Sequence, residues 1–194
     1  MKILMSFPNE GWIRSELAMK LPRWLHETTH EVTFESSNVK PVEHNRNTIV
    51  KRFLESDNDY LLQIDSDVVP SNNPLLLADL ELDVVGAPCW VYQERVFLNI
   101  YRLLGDSLVL ASAENEKGLI EVDAIGSGVL LTSRAVLSAT KAPFERRYDE
   151  DGIATLGQDL YFCQKAREAG FKIFAHLDFV SKHYKTIDLG DFRS

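Results

Sequence analysis

A chain of 194 residues, of which 45% are hydrophobic and 26% charged, has the length and composition expected of one soluble globular domain. Its formal net charge of −8 argues against a surface dedicated to nucleic-acid binding. The two cysteines, Cys89 and Cys163, lack metal-binding spacing and predict free buried thiols. No apolar stretch approaches a membrane span, and no signal-peptide core is present, so a single cytoplasmic domain covering residues 1–194 is predicted.

The first part of the chain alternates predicted strands and helices. Short apolar runs predict strands over residues 2–7, 31–35 and 60–64, and apolar side chains at helical spacing predict helices over residues 10–26 and 47–55. Such alternation is typical of a mostly parallel sheet with right-handed connections and helices on both faces. The predicted fold is therefore a three-layer α/β/α, Rossmann-like domain.

The middle of the chain is richer in strands, which indicates a small antiparallel portion beside the main sheet. Turn signals at Gln93-Glu94 and Gly105-Asp106 separate these strands, and Gly170 stands where the last helix needs a left-handed cap. The predicted elements are a short helix over 72–80, strands over 84–91, 96–103, 108–111, 120–125 and 129–132, helices over 134–139 and 158–169, and a strand over 172–177.

Two carboxylates follow the third predicted strand, in Asp65-Ser66-Asp67. Along a continuing strand, Asp65 and Asp67 would point the same way at the carboxyl end of the sheet, where ligands bind in open α/β sheets. Two like charges this close repel each other unless a cation lies between them. The motif therefore predicts a divalent-cation site, and removing one carboxylate should cost the unliganded fold little. Polar capping of a strand end is the alternative interpretation.

Further polar groups lie near the end of the chain. Asp159 begins the helix predicted over 158–169, where a carboxylate either stabilises the helix end or acts as a general base. His183 offers a ring nitrogen that suits a Mn-type ion, although a solvated histidine is the plainer interpretation. Lys182 and Lys185 could neutralise a diphosphate or be ordinary surface lysines.

Taken in order, these features resemble the glycosyltransferases of the GT-A fold, in a compact form. The resemblance extends over most of the chain, from about residue 2 to residue 185. The motifs that carry it are the strand end at Pro8-Asn9, Asn45-Arg46-Asn47 at a predicted helix start, Asp65-Ser66-Asp67, Gly126-Ser127-Gly128, Gly157-Gln158-Asp159 and the late His183.

The resemblance implies a transferase of the hexosyltransferase class that uses a nucleotide-diphosphate sugar, with a UDP-sugar as the default donor. It implies that Asp65, Asp67 and His183 hold Mn²⁺ or Mg²⁺. The residues for which it implies donor contacts are Phe7, Pro8, Asn9, Arg46, Asp65, Ser66 and Lys185.

For catalysis, the resemblance implies that Asp159 is the general base of inverting members. Gln158 stands where the family has Glu, which leaves the stereochemistry open. The acceptor is also open, among a glycan, a small molecule, a protein and a modified nucleic-acid base, and a homodimer could complete the site. Segment 181–194 is expected to fold over the donor as a lid. The residues implied for the sugar and acceptor pocket are Trp90, Gly126, Ser127, Gly128 and Gln158.

Each of these pocket residues also has a structural interpretation. Glycines in a strand pattern often mark a β-bulge, and Trp90, with Tyr92 on the same side of its strand, could pack in the core instead of stacking on a sugar.

Two other functions fit part of the pattern. The motif Asp65-Ser66-Asp67 also resembles that of haloacid-dehalogenase-type phosphatases, in which Asp65 would be the nucleophile and Asp67 the acid/base. That motif normally opens its fold, whereas two strand-helix units precede it here. A non-catalytic nucleotide-sugar-binding module is the other alternative. Related nucleotidyltransferases typically show a glycine-rich loop with lysine after the first strand, which this sequence lacks.

Overall fold

A computed structural model of the chain describes residues 1–113 and 116–186. The α-helices in this part are α1 (Ser15–Glu27), α2 (Val42–Glu55), α3 (Arg134–Ala139) and α4 (Gln158–Glu168), with 3-10 helices at Pro74–Leu80 and Leu177–Phe179. The strands are β1 (Lys2–Pro8), β2 (Glu31–Ser37), β3 (Tyr60–Ile64), β4 (Val68–Val69), β5 (Val84–Gly86), β6 (Trp90–Gln93), β7 (Arg95–Leu98), β8 (Ile100–Leu104), β9 (Ser107–Leu110), β10 (Leu119–Val122), β11 (Ala124–Ile125), β12 (Val129–Ser133), β13 (Arg147–Tyr148), β14 (Ala154–Leu156), β15 (Ile173–His176) and β16 (Lys182–His183). No helix in these ranges is long and apolar enough to cross a membrane.

The central sheet has seven strands in the order β10-β15-β5-β12-β3-β1-β2. β1 pairs in parallel with β2 and β3, and β15 pairs in parallel with β5. β12 is antiparallel to both β3 and β5, and β10 is antiparallel to β15. Five strands therefore share one direction, and the predicted α/β fold with a mostly parallel sheet is confirmed.

Helices pack on both faces of this sheet because alternate strand residues are buried on opposite sides. In β1, Leu4 belongs to a hydrophobic cluster with residues of α2, α3 and α4, whereas Ile3 and Met5 belong to a second cluster with α1 and the 3-10 helix that begins at Pro74. Two separate cores thus hold the sheet between them. The two cysteines are buried free thiols in these cores, as predicted.

The segments predicted as continuous strands over 84–91, 96–103 and 120–125 are each broken in two, so this part of the prediction is wrong. Buried Asn99 marks the second break. Its side-chain Oδ1 accepts a hydrogen bond from the Cys89 N–H at 2.8 Å, and its carbonyl accepts one from the Gly126 N–H at 2.9 Å. Asn99 therefore ties the start of the β6–β7 hairpin to the glycine turn before β12.

We expect Gly126→Ala to lower the free energy of unfolding by about 1–3 kcal/mol, the usual loss when a packed interior is overfilled. An added Cβ would lie 2.1 Å from Asn99 Nδ2, so the Asn99 side chain would have to move away from Cys89. Gly128→Ala is the control within the same turn, since its Cβ would meet its nearest atom, in Val68, at 3.2 Å. Urea denaturation measures both; equal losses would mean that Asn99 does not hold the turn.

Candidate functional site

The two predicted carboxylates lie in a turn and not on a strand. β3 ends at Ile64, and the Val68 N–H donates to the Asp65 carbonyl at 3.0 Å, which closes a turn over Asp65-Ser66-Asp67. The argument that a continuing strand aligns Asp65 with Asp67 is therefore wrong for this backbone. The motif still follows directly from the carboxyl end of β3, the edge of the sheet at which it was predicted.

Three distant segments fix this turn through its backbone. The Asp65 N–H donates to the Gly128 carbonyl at 2.9 Å, the Ser66 carbonyl accepts from the Arg14 N–H at 3.0 Å, and the Asp67 carbonyl accepts from the Tyr184 N–H at 3.0 Å. The glycine turn, the segment before α1 and the end of the described chain therefore meet at the carboxylates.

Asp65 is paired with Arg46, which the sequence placed at a helix start. α2 instead begins at Val42, so Arg46 lies within the helix, and its side chain is only 1% exposed. Its Nη2 donates to Asp65 Oδ1 at 2.5 Å. Burial raises the pKa of Asp65, and the Arg46 guanidinium opposes that rise. Asp65 is therefore the counter-charge of a buried cation.

Asp67 faces two nitrogen-bearing side chains from the end of the described chain. Its Oδ2 lies 3.3 Å from His183 Nε2 and 4.0 Å from Lys185 Nζ. Burial raises the pKa of Asp67, but His183 and Lys185 outweigh burial, and the pKa lies below its ordinary value. The carboxylate is therefore ionised and directed towards both groups.

The second ring nitrogen of His183 determines what Nε2 can do. Nδ1 lies 3.1 Å from the Trp90 carbonyl, which can only accept a hydrogen bond. We therefore assign a proton to Nδ1. With Nδ1 protonated, an imidazolium ring donates its Nε2–H to Asp67, and a neutral ring directs its Nε2 lone pair at Asp67. A metal-bound histidine usually donates its other N–H in this way, to a carbonyl or a carboxylate.

A divalent cation between Asp67 and His183 fits this arrangement. A carboxylate oxygen and a ring lone pair that face each other need a proton or a metal between them. Adjacent ligands of one ion, each at about 2.1 Å, lie about 3 Å apart, which is close to the 3.3 Å observed here. In ranges 1–113 and 116–186, however, no three His, Cys, Asp or Glu side chains gather around a common centre. Burial raises the pKa of nearby Cys89 to about 12, which keeps its thiol neutral.

A cleft of about 260 Å³ opens beside the turn, between the end of β1 and the start of α2. Pro8 and Asn9 line it, together with the three residues of the Asp65-Ser66-Asp67 turn. Phe7 lines an adjacent cleft of about 460 Å³, which shares Asn9 with the first. Of the sequence-predicted donor residues at the end of β1, Pro8 and Asn9 therefore share a cleft with the carboxylates.

Sequence reasoning missed several residues of the first cleft, among them Trp12 and Lys40. Trp12, which is 48% exposed, lines both clefts and offers an aromatic face. Lys40 and Asn45 line the first cleft, and the buried Oδ1 of Asn45 has no hydrogen-bond partner among the described residues. Trp12 lay in the segment predicted as the first helix and carried no separate signal, whereas Asn45 belongs to the Asn45-Arg46-Asn47 motif named in the resemblance.

Asp159 lies in the first turn of α4, where Gly157 is the N-cap residue. Its Oδ1 accepts a hydrogen bond from the Leu160 N–H at 2.9 Å. Burial is the main cause of the raised pKa of Asp65, and the negative charge of Asp159 adds to it. The two carboxylates are therefore near each other. Gln158 Nε2 donates to Ser127 Oγ at 3.3 Å and joins α4 to the glycine turn.

The structure distributes the predicted sugar and acceptor residues around the same centre. Gly128 contacts Asp65 through its carbonyl, and Ser127 is buried. Trp90 is 45% exposed, and its backbone carbonyl is the hydrogen-bond partner of His183 Nδ1. In the predicted lid, residues 187–194 lie outside the described residues.

No family model matches this sequence, and no curated protein matches it at a significant level. Solved structures do match the fold. The crystal structure of A197 from STIV superposes with a TM-score of 0.66 and 23% sequence identity, over 96% of this chain and 87% of that one.

Two further matches are to structures that contain nucleotides or nucleotide sugars. GalNAc-T7 with UDP, GalNAc and Mn²⁺ gives a TM-score of 0.55 at 9% identity, over 97% of this chain but only 44% of that chain. UDP-glucose pyrophosphorylase complexed with UDP-glucose gives 0.50 at 12% identity, over 95% of this chain and 93% of that one. The chain therefore has the fold shared by glycosyltransferases and nucleotidyltransferases.

Proposed function

We propose that this chain is a metal-dependent glycosyltransferase that transfers a sugar from a nucleotide-diphosphate sugar, by default a UDP-sugar, to an acceptor hydroxyl. The observation that carries the proposal is the pairing of Asp67 with His183 beside a cleft at the carboxyl end of β3. We also propose that residues 1–194 form one domain, because strands from both ends of the described chain share the central sheet.

In this proposal, each group around the turn has a separate task. Asp67 and His183 hold Mn²⁺ or Mg²⁺, which when bound neutralises the diphosphate of the donor. Lys185 adds positive charge on the same side, and Trp12 supplies a face on which a nucleobase can stack. Asp65 keeps Arg46 neutralised and the turn in position, so it supports the metal ligands without being one of them.

Asp159 is proposed as the general base. It takes the proton of the acceptor hydroxyl as the hydroxyl oxygen bonds to the anomeric carbon, and the bond from that carbon to the diphosphate oxygen breaks. The nucleoside diphosphate leaves with the electron pair. Attack opposite the leaving group would invert the anomeric configuration.

The proposal is tested by incubating the protein with a panel of nucleotide sugars and Mn²⁺, and measuring release of nucleoside diphosphate without an acceptor. We expect slow hydrolysis of one donor by the parent, and loss of Mn²⁺-dependent nucleoside-diphosphate binding, by calorimetry, in Asp67→Ala and His183→Ala. Lys172→Ala, at an exposed ion pair with Glu121, is the control and should bind normally. Unchanged affinity in both site variants would refute the metal site.

Two added substrates separate the alternatives. With added pyrophosphate, a nucleotidyltransferase would release a nucleoside triphosphate from the sugar nucleotide. A phosphatase using Asp65 as its nucleophile would release inorganic phosphate from an added phosphate monoester and no nucleoside diphosphate from the sugar nucleotides, and the pairing of Asp65 with buried Arg46 does not favour that role. A module that only binds would show affinity without turnover.

A further inference from the structure

A large concave surface of the described chain lies along α4, the helix that begins with Gln158 and Asp159. It is a groove of about 1050 Å³ between the β8–β9 hairpin, the β13–β14 hairpin and one side of α4. A site for one small molecule encloses about 300–1,000 Å³, so the groove has room for a ligand of several units.

One wall of the groove adjoins the proposed catalytic residue Asp159, and the other adjoins the glycine turn Gly126-Ser127-Gly128. On one side, β14 runs through Gly157 into α4, and Leu160, the neighbour of Asp159, lines the groove. On the other side, groove residue Tyr101 in β8 pairs with Ala124 in β11, just before the glycine turn. Burial is the main cause of the raised pKa of Tyr101, and the negative charge of Asp159 adds to it, as expected for groups that are near each other.

The lining combines aromatic and apolar faces with uncharged hydrogen-bonding groups. Tyr148 is 57% exposed and Leu103 is 40% exposed, so the groove presents apolar surface to solvent. Hydroxyl groups in the lining come from Ser107 and Thr155, and an amide group comes from Gln164. Aromatic faces beside such groups suit sugar rings, whose C–H faces are apolar and whose edges carry hydroxyls.

The charges of the groove argue against a highly charged ligand. It is lined by three carboxylates and two guanidinium groups, from Asp106, Asp149, Glu168, Arg147 and Arg167. A groove for a nucleic-acid strand is positively charged along its length, and nothing comparable is present in this lining. The nearly balanced charge therefore favours a neutral, hydroxyl-rich ligand.

We propose that this groove binds the acceptor, and that the acceptor is a neutral oligosaccharide of several sugar units whose reacting end lies at Asp159. The assignment rests on the proposed transferase function. It differs from the platform predicted at Trp90, because the groove is formed by the two hairpins and α4.

The test uses the full chain and saturation-transfer NMR with four neutral probes: maltohexaose, cellohexaose, mannohexaose and hexa-N-acetylchitohexaose. Hexagalacturonate is the anionic probe. We expect at least one neutral hexasaccharide to bind, and Tyr148→Ala to weaken its binding about 3- to 10-fold, as the loss of one aromatic contact predicts. Phe34→Ala, an equally exposed aromatic on β2, should bind like the parent. Hydrolysis of the donor without acceptor should be the same in the parent and in Phe34→Ala.

The outcomes separate this assignment from the proposed function. Absence of binding by all four neutral probes, preference for hexagalacturonate, or equal binding by Tyr148→Ala and the parent would overturn the groove assignment while donor hydrolysis persists. Absence of donor hydrolysis in the parent would instead overturn the transferase function, and with it the acceptor role of the groove.

Discussion

Asp159→Asn is expected to retain donor affinity and to lose sugar transfer by roughly 10²- to 10⁴-fold, the usual contribution of a positioned general base. Asparagine has nearly the same shape but cannot take the proton of the acceptor hydroxyl. The helix should tolerate the change, because Gly157 is the N-cap and a first-turn charge contributes only about 0.3–1 kcal/mol. Transfer to the best acceptor and donor binding by calorimetry are the two measurements.

Asp79→Asn, which removes an exposed carboxylate from the 3-10 helix at Pro74–Leu80, is the control and should transfer like the parent. Normal transfer by Asp159→Asn would reduce Asp159 to a residue that only stabilises the start of α4. Loss of both donor binding and transfer would place it in the donor site instead.

Asp65→Ala is expected to lower the free energy of unfolding by about 3–5 kcal/mol, the loss seen when one partner of a buried ion pair is removed. The guanidinium of Arg46, 1% exposed, would then carry an uncompensated charge. This reverses the expectation from the sequence that either carboxylate could be lost at little cost. Urea denaturation measures the loss.

Asp67→Ala is the matched control, since it removes the same group from the same turn. Its partners, His183 and Lys185, belong to the end of the described chain, and Lys185 is 54% exposed, so we expect a much smaller effect on stability. The double variant Arg46→Met with Asp65→Ala should recover part of the lost stability, because it also removes the uncompensated charge of Arg46. Equal destabilisation by the two single variants would contradict the assigned roles.

The starts of two helices were predicted correctly from the sequence. α3 begins at Arg134, where Ser133 accepts a hydrogen bond from the Val136 N–H, and α4 begins at Gln158 after Gly157, which makes no side-chain capping bond. α1 and α2 begin after Arg14 and Pro41, neither of which makes a side-chain capping bond. The predicted start was five residues early for α1 and five residues late for α2.

The candidate site was predictable where its residues form sequence motifs. Asp67 follows a buried strand, and Asp159 begins a helix, so both stood out from their neighbours. The pairing of Asp65 with Arg46 was not predictable, because it depends on how deeply α2 is buried. The groove beside α4 was also missed, since the β13–β14 hairpin consists of strands of two and three residues with no clear period.

A two-stranded ladder outside the central sheet sets the spacing of Asp67 and His183. β4 begins immediately after Asp67, β16 ends at His183, and the two strands are antiparallel with His183 opposite Val68. Bringing Asp67 and His183 together closes a long chain segment and costs conformational entropy. Because the ladder does this when the chain folds, ligand binding does not carry that cost. A register shift of one residue would turn the imidazole to the other face. Substitutions that weaken this ladder should therefore lower cation affinity while leaving both coordinating side chains intact.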